Sequence, residues 1–316
     1  MSSPVPPPRF DLAESFPETG EPAARAAQDL PGALALLTAR RPRGGAEYGV
    51  ALDALAAADG LDEPLDRHLA EHPDDTEARV VRAARVVRRA WELRGTEPGA
   101  QVGAERFDAF FALLARAEQD LVRVVVAEPA DTAAWGLRLS TARGLALGTS
   151  EAGRRWRHLR AADAHDVRAQ REYLQHLTPK WGGDWGRVDA FVGEVTAAAA
   201  PGSAEWALVP YAALTRWYDD HRAEGTSAMR WPEVVTGLDA AEQSFLAAPT
   251  PSRYEAVLAH TDFAVALGLA GKRGRSAAHF AQLGPSLAPG TWALGADHRS
   301  DLENIRASAL AEGRRR

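Results

Sequence analysis

No cysteine occurs among the 316 residues of the chain. Its absence excludes disulfides, thiolate zinc sites, iron–sulfur clusters and cysteine nucleophiles together. Isoleucine and asparagine occur once each (Ile305, Asn304), and only two of the 37 basic side chains are lysine (Lys180, Lys272). That skew towards arginine suggests a GC-rich bacterial coding sequence rather than a function. Long apolar runs are also missing. A stretch such as Phe263 to Ala270 falls far short of the ~20 residues of a spanning helix. The start, Met1-Ser-Ser-Pro-Val-Pro-Pro-Pro8-Arg9, lacks the basic and apolar regions of a secretory signal. A cytoplasmic protein with no membrane partner is expected. Acid exceeds base, for a formal net charge of −6, so no global basic field marks nucleic acid as a partner.

What is present is helical in pattern. At 46% hydrophobic, the chain can bury a large core. Val80, Ala84, Val87 and Trp91 share one helix face, as do Phe107, Phe110, Phe111, Leu114, Leu121 and Val125. Val124–Val126 alone would suit a strand, but they end a long helical pattern. Residues 204–222 carry two adjacent stripes, Trp206, Val209, Ala213, Trp217 and Tyr211, Leu214, Tyr218, as in a helix covered on two sides. Residues 254–270 read as a buried helix. Asp75, Asp131, Asp166 and Ser203 stand where they can cap helix starts. The last two intervals, 35 and 37 residues, lie near the ~34 residues of a tetratricopeptide helix pair. From His260 the chain follows that repeat more closely: Phe263, Ala264 and Leu267, Gly271 at the turn, then Ser276, Phe280, Leu283 and Pro289. The expected fold is all-α, with antiparallel helix pairs stacked as a tetratricopeptide-like α-solenoid. Residues 1–22 read as a flexible or polyproline-like lead. Residues 23–312 read as one helical repeat domain, in which 23–95 can stand as an N-terminal lobe ended by a linker at Gly95–Gly103. Residues 313–316 are a basic tail.

The segment Leu177-Thr-Pro179-Lys180-Trp181-Gly182-Gly183-Asp184-Trp185 resembles a motif of an uncharacterised bacterial family of tetratricopeptide-like helical proteins. There, a Pro-Lys/Arg-Trp-Gly-Gly turn joins two helices. The Phe263–Leu283 helix pair, followed by Trp292, resembles that family's C-terminal portion, and the overlap spans about half the chain, residues 125–295. The resemblance implies helical repeats and carries no catalytic assignment.

Several groups of residues could hold chemistry. His68-Leu-Ala-Glu71-His72 has the two-histidine spacing of a zinc helix, but Pro73 puts it at a helix end, where histidines suit the negative dipole. His158, Asp163, His165, Asp166, Glu172 and His176 cluster in sequence, and capping and surface roles explain them more simply. Arg82, Arg85 and Arg89, and Arg154 to Arg160 around Trp156, could grip phosphate, but the acidic balance favours internal pairing. No phosphate loop, dinucleotide fingerprint or nucleophile elbow occurs.

Seven of the nine tryptophans lie between Trp135 and Trp231. Most are expected in the core, with Trp181 and Trp185, at the glycine turn, as the exposed pair. The leading reading is a non-enzymatic module that binds a protein or peptide on its helical face. The alternative is an enzyme or small-molecule-binding protein with an aromatic pocket containing His and Asp, drawn from Trp156, His158, Tyr173, Tyr218, Asp219 and His221. Trp181, Trp185 and Trp217 complete the candidate binding residues. No cofactor or metal is expected.

Overall fold

A computed structural model describes residues 9–10, 12–41, 45–95, 97, 99–288 and 296–313. Among them every regular element is helical. The chain divides into two compact units, Phe16–Gly183 and Asp184–Arg316 with Met1–Ser15. The α-helices in chain order are α1 (Leu12–Ser15), α2 (Glu21–Ala26), α3 (Leu30–Thr38), α4 (Gly45–Ala57), α5 (Asp62–Glu71), α6 (Thr76–Arg94), α7 (Ala104–Ala127), α8 (Thr132–Gly144), α9 (Gly148–Ala162) and α10 (Val167–Leu177). They continue as α11 (Trp185–Ala198), α12 (Leu208–Arg216), α13 (Pro232–Phe245), α14 (Arg253–Leu269), α15 (Arg273–Leu283) and α16 (Ala296–Gly313). The linker expected at Gly95–Gly103 lies inside the first unit. There α6 ends at Gly95, whose φ of 72° suits glycine.

In the first unit α6 packs along α7, and α8 packs on both α7 and α9. The valines at 124–126 belong to α7, as their position after a long helical pattern predicts. Three helices of this unit begin alike. Asp75, Asp131 and Asp166 hold φ near −70°, −69° and −67°, with ψ near 99°, 100° and 96°. Each carboxylate accepts from the amide three residues on, at Ala78 (2.9 Å), Ala134 (2.7 Å) and Ala169 (3.0 Å). The side chain four residues after each cap then donates back to a carbonyl ahead of it: Arg79 to Pro73, Trp135 to Pro129 and Gln170 to Ala164. A guanidinium, an indole and an amide thus make the same contact. In the second unit the Trp206 indole likewise donates to a carbonyl six residues back, Ala200, at 3.0 Å, though three residues after the Ser203 cap of a 3-10 turn.

The arginine stripe on α6 is paired internally. Arg79 and Arg82 share the buried Asp120 of α7, and Arg85 and Arg89 share Asp62 of α5. Arg154 pairs with Glu151, and Arg155 with Glu118 and Glu151. Phe111, expected in the buried stripe of α7, is exposed at its edge; Phe110 holds the core position.

Arg9 forms an isolated bridge to Ser286, while much of the described part of the Pro-rich lead is helical. It forms α1, a 3-10 turn at Pro17–Gly20 and the start of α2, with Thr19 and Pro22 buried. Pro17 and Pro22 stand in first turns, where proline's missing amide costs nothing. Residues 1–8 and 11 of that lead, Pro289 and Trp292 of the C-terminal match, and 314–316 of the tail lie outside the described residues.

In the second unit α14 packs on α12, α15 and α16, with α11 and α13 against α12. The helix pair read from His260 onward is α14 and α15. Gly271 turns between them at φ 78°, the Ser276 hydroxyl donates to the Ala264 carbonyl at 2.6 Å, and Phe280 is buried. No described helix is long and apolar enough to cross a membrane.

Candidate functional site

The residues around α12 build a cleft of about 490 Å³ inside the second unit. Of the two apolar stripes there, Tyr211 and Leu214 are fully buried, whereas Val209, Ala213 and Trp217 form a wall of the cleft. The helix is therefore covered on one side and open to a cavity on the other. α11, started by the Asp184 carboxylate on the Arg187 amide (2.9 Å), contributes Asp189, Val192 and Thr196. After Arg216 the chain widens into a π-helical turn, Trp217–His221. Turns of this kind recur at functional sites because the added residue redirects side chains. Here the turn brings Trp217 and His221 into the cleft. Met229, from the short turn Ala228–Arg230, and Trp231 and Val234 close the far side.

The polar groups of the cleft sit at its rim. Arg216 Nη2 bonds Asp189 Oδ1 at 2.7 Å, with its guanidinium 4.9 Å from the Trp185 ring centroid. The Trp185 indole donates to Asp220 at 2.6 Å, and the Trp217 indole to the Gly225 carbonyl at 2.7 Å. The His221 ring meets Trp231 edge-on at 5.0 Å. Its Nδ1 is buried without a hydrogen bond among the described groups, 3.5 Å from the Glu224 carboxylate. Glu233 is exposed and has no described partner.

The candidate residues read from the sequence are divided between the two units. Of them, Trp217 and His221 line this cleft, Trp185 holds Arg216 at its edge, and Tyr218 and Asp219 do not line it. In the first unit Trp156 is buried and stacks on Tyr173 at 5.1 Å, while His158 stacks on Trp135 at 4.5 Å. Trp181 is half-buried, edge-on to Trp91 at 6.2 Å, with Arg143 over its ring at 5.6 Å. Among the described residues the exposed tryptophan is Trp231, at 40%, rather than Trp181 or Trp185. A glycine turn marks a surface bend, but nearby arginines cover both rings. Trp231 carries its own signal, a large ring just before Pro232 at a helix start.

The glycine turn is structural. Gly182 adopts the left-handed conformation at φ 87°, and a Cβ on Gly183 would lie 2.1 Å from the Leu177 carbonyl oxygen. The histidine motifs are structural too. His68 Nε2 bonds the Asp75 cap at 2.8 Å, and His176 Nε2 donates to the Leu139 carbonyl at 2.7 Å. Burial holds the His176 ring below the usual histidine range.

One constellation escaped the sequence reading. His279, buried between Phe245 and Phe263, bonds Glu242 through Nε2 at 3.0 Å and His260 through Nδ1 at 2.7 Å. A carboxylate only accepts, so His279 Nε2 carries the proton. In the neutral pair His260 Nδ1 then donates to His279 Nδ1. Burial and the neighbouring ring push His260 down to about 4. Glu242 is held below its usual value, because its bonds to His279 and Arg275 outweigh the cost of burial. The partners lie 18 to 37 residues apart on three helices, so no local spacing announces them.

A smaller cleft, about 200 Å³, lies in the first unit, where Gly45, Gly49 and Gly136 let α4 and α8 approach. Arg168 bridges across it to Asp53, and a Cβ on Gly49 would lie 2.9 Å from that guanidinium. That ion pair lines the cleft and is partly exposed. No cluster of three or more metal-ligating side chains occurs among the described residues.

Fold and site together define a class: an all-helical protein with an aromatic cleft beside a π-helical turn. No protein-family model, curated protein or solved structure matches the chain.

Proposed function

We propose that this chain is a non-enzymatic binding module. Its antiparallel helix pairs stack as a tetratricopeptide-like α-solenoid, and its aromatic cleft receives the apolar side chain of a peptide segment. The observation that carries the proposal is the cleft itself. About 490 Å³ of space stands between Val192, Val209, Ala213 and Val234, with the Trp217 and Trp231 rings at its mouth. That size is ordinary for a binding cavity, and tryptophan offers a large apolar face with a polar edge. The recurring cap and back-bond of α6, α8 and α10 support the repeat reading.

The polar groups favour binding over catalysis. Arg216 and Asp189 are paired with each other, and the Thr196 hydroxyl donates to the Val192 carbonyl at 2.8 Å. No described nucleophile stands beside a base in the cleft. Panning a randomised peptide library on the full chain, and in parallel on Ala213→Trp, tests the proposal. Ala213 lines the cleft and is only half-buried, so the new ring fills space without entering the core. One enriched motif, lost on the variant, is the expected result. Equal enrichment on both proteins, or none on either, contradicts the proposal.

A further inference from the structure

We infer that the cleft selects a basic peptide, one whose anchoring apolar residue is flanked by lysine or arginine; this rests on the peptide-binding reading above. Four carboxylates stand at or beside the cleft. Asp189 and Glu224 have side chains 62% exposed. Asp220 is exposed beside Trp185, and Glu233 is exposed with no described partner. One described guanidinium, Arg216, lines the cleft against them. Arg230, next to Trp231 in the chain, lies instead over Gly271 at the turn between α14 and α15. The mouth is therefore acidic and carries two tryptophan rings, and the walls behind it are aliphatic.

The site already holds one cation in the manner inferred for the ligand. Arg216 sits over the Trp185 ring while bonded to Asp189. Trp231 and Glu233 offer a second ring and carboxylate, with no described cation between them. An ammonium or guanidinium there would gain attraction to the ring face and to the carboxylate together. An acidic peptide would meet repulsion at every rim carboxylate and find its single complement, Arg216, already paired.

The test uses three short fluorescein-labelled peptides with a common central phenylalanine, flanked by lysine, serine or glutamate, titrated onto the full chain by anisotropy. The lysine peptide is expected to bind most tightly and to weaken as salt rises. Glu233→Gln is expected to weaken it roughly threefold to tenfold while leaving the serine peptide unchanged. Ala213→Trp should abolish binding of both. Glu233 is exposed in the first turn of α13, so the glutamine variant keeps the fold. If the serine or glutamate peptide binds as tightly as the lysine peptide, the inference is overturned and the peptide-binding reading stands. The same holds if Glu233→Gln keeps full affinity. Lysine-peptide binding that survives in Ala213→Trp is surface attraction outside the cleft and also overturns the inference. If none of the three binds, the reading falls with it.

Discussion

At the scale of single residues, His260 ties stability to pH. In the unfolded chain its ring titrates near ~6.5, and in the fold near 4. Folding therefore favours the neutral ring. That contribution is complete above about pH 6.5 and is lost as pH falls towards 4. Urea unfolding at a series of pH values should show this loss. His260→Gln, which can still donate to His279, should flatten the profile over that range; an unchanged slope would remove His260 as its source. Gly183 makes a second residue-scale prediction. A Cβ there would meet the Leu177 carbonyl oxygen, so Gly183→Ala should cost more than about 2 kcal/mol. Gly182→Ala, with open space around it but a positive φ, should cost about 1 kcal/mol. Denaturant midpoints rank the two, and equal costs would contradict the close approach. The Gly-Gly pair was legible as a turn. Which glycine is needed for conformation and which for space was not, because the obstacle is a carbonyl six residues away.

At the scale of elements, caps and periodicity were readable and partners were not. Asp75, Asp131 and Asp166 can be picked out as caps because Asp before a helical run satisfies free amides. The back-bonds from Arg79, Trp135 and Gln170 share a position but no residue type, so the sequence hides their equivalence. Asp131 also pairs with Arg41 at 3.0 Å, its side chain fully buried. Asp131→Ala should therefore cost about 2–4 kcal/mol, against about 1 kcal/mol for loss of a cap alone. A thermal or urea unfolding comparison with Asp166→Ala, whose carboxylate likewise caps a helix, measures the difference; equal losses would show that the Arg41 pair contributes nothing. The two stripes on α12 show the same limit. Their spacing establishes two apolar faces, yet packing decides that one meets the core and the other a cavity. The π-helical turn that follows leaves no mark in residue periodicity.

At the scale of the whole molecule, composition narrowed the chemistry and packing located the site. The absence of cysteine leaves histidine, carboxylate and aromatic side chains to carry function, and the aliphatic cleft includes some of each: His221, Asp189, Glu233, Trp217 and Trp231. The excess of acid was visible as a sum. Its concentration around Trp217 and Trp231 was partly legible, since Asp220, Glu224 and Glu233 follow the two rings closely in sequence, but the approach of Asp189 from α11 was not. The central claim is that this cleft, and not the buried rings of the first unit, receives a ligand. Indole N–H resonances of the full chain, recorded by nitrogen-15 correlation spectroscopy during titration with the lysine-flanked peptide, test it most directly. The account predicts that the Trp217 and Trp231 signals move, with Trp185 following through its contact with Arg216, while Trp135 and Trp156 stay in place. Movement at Trp135 and Trp156 with Trp217 and Trp231 unmoved would contradict it.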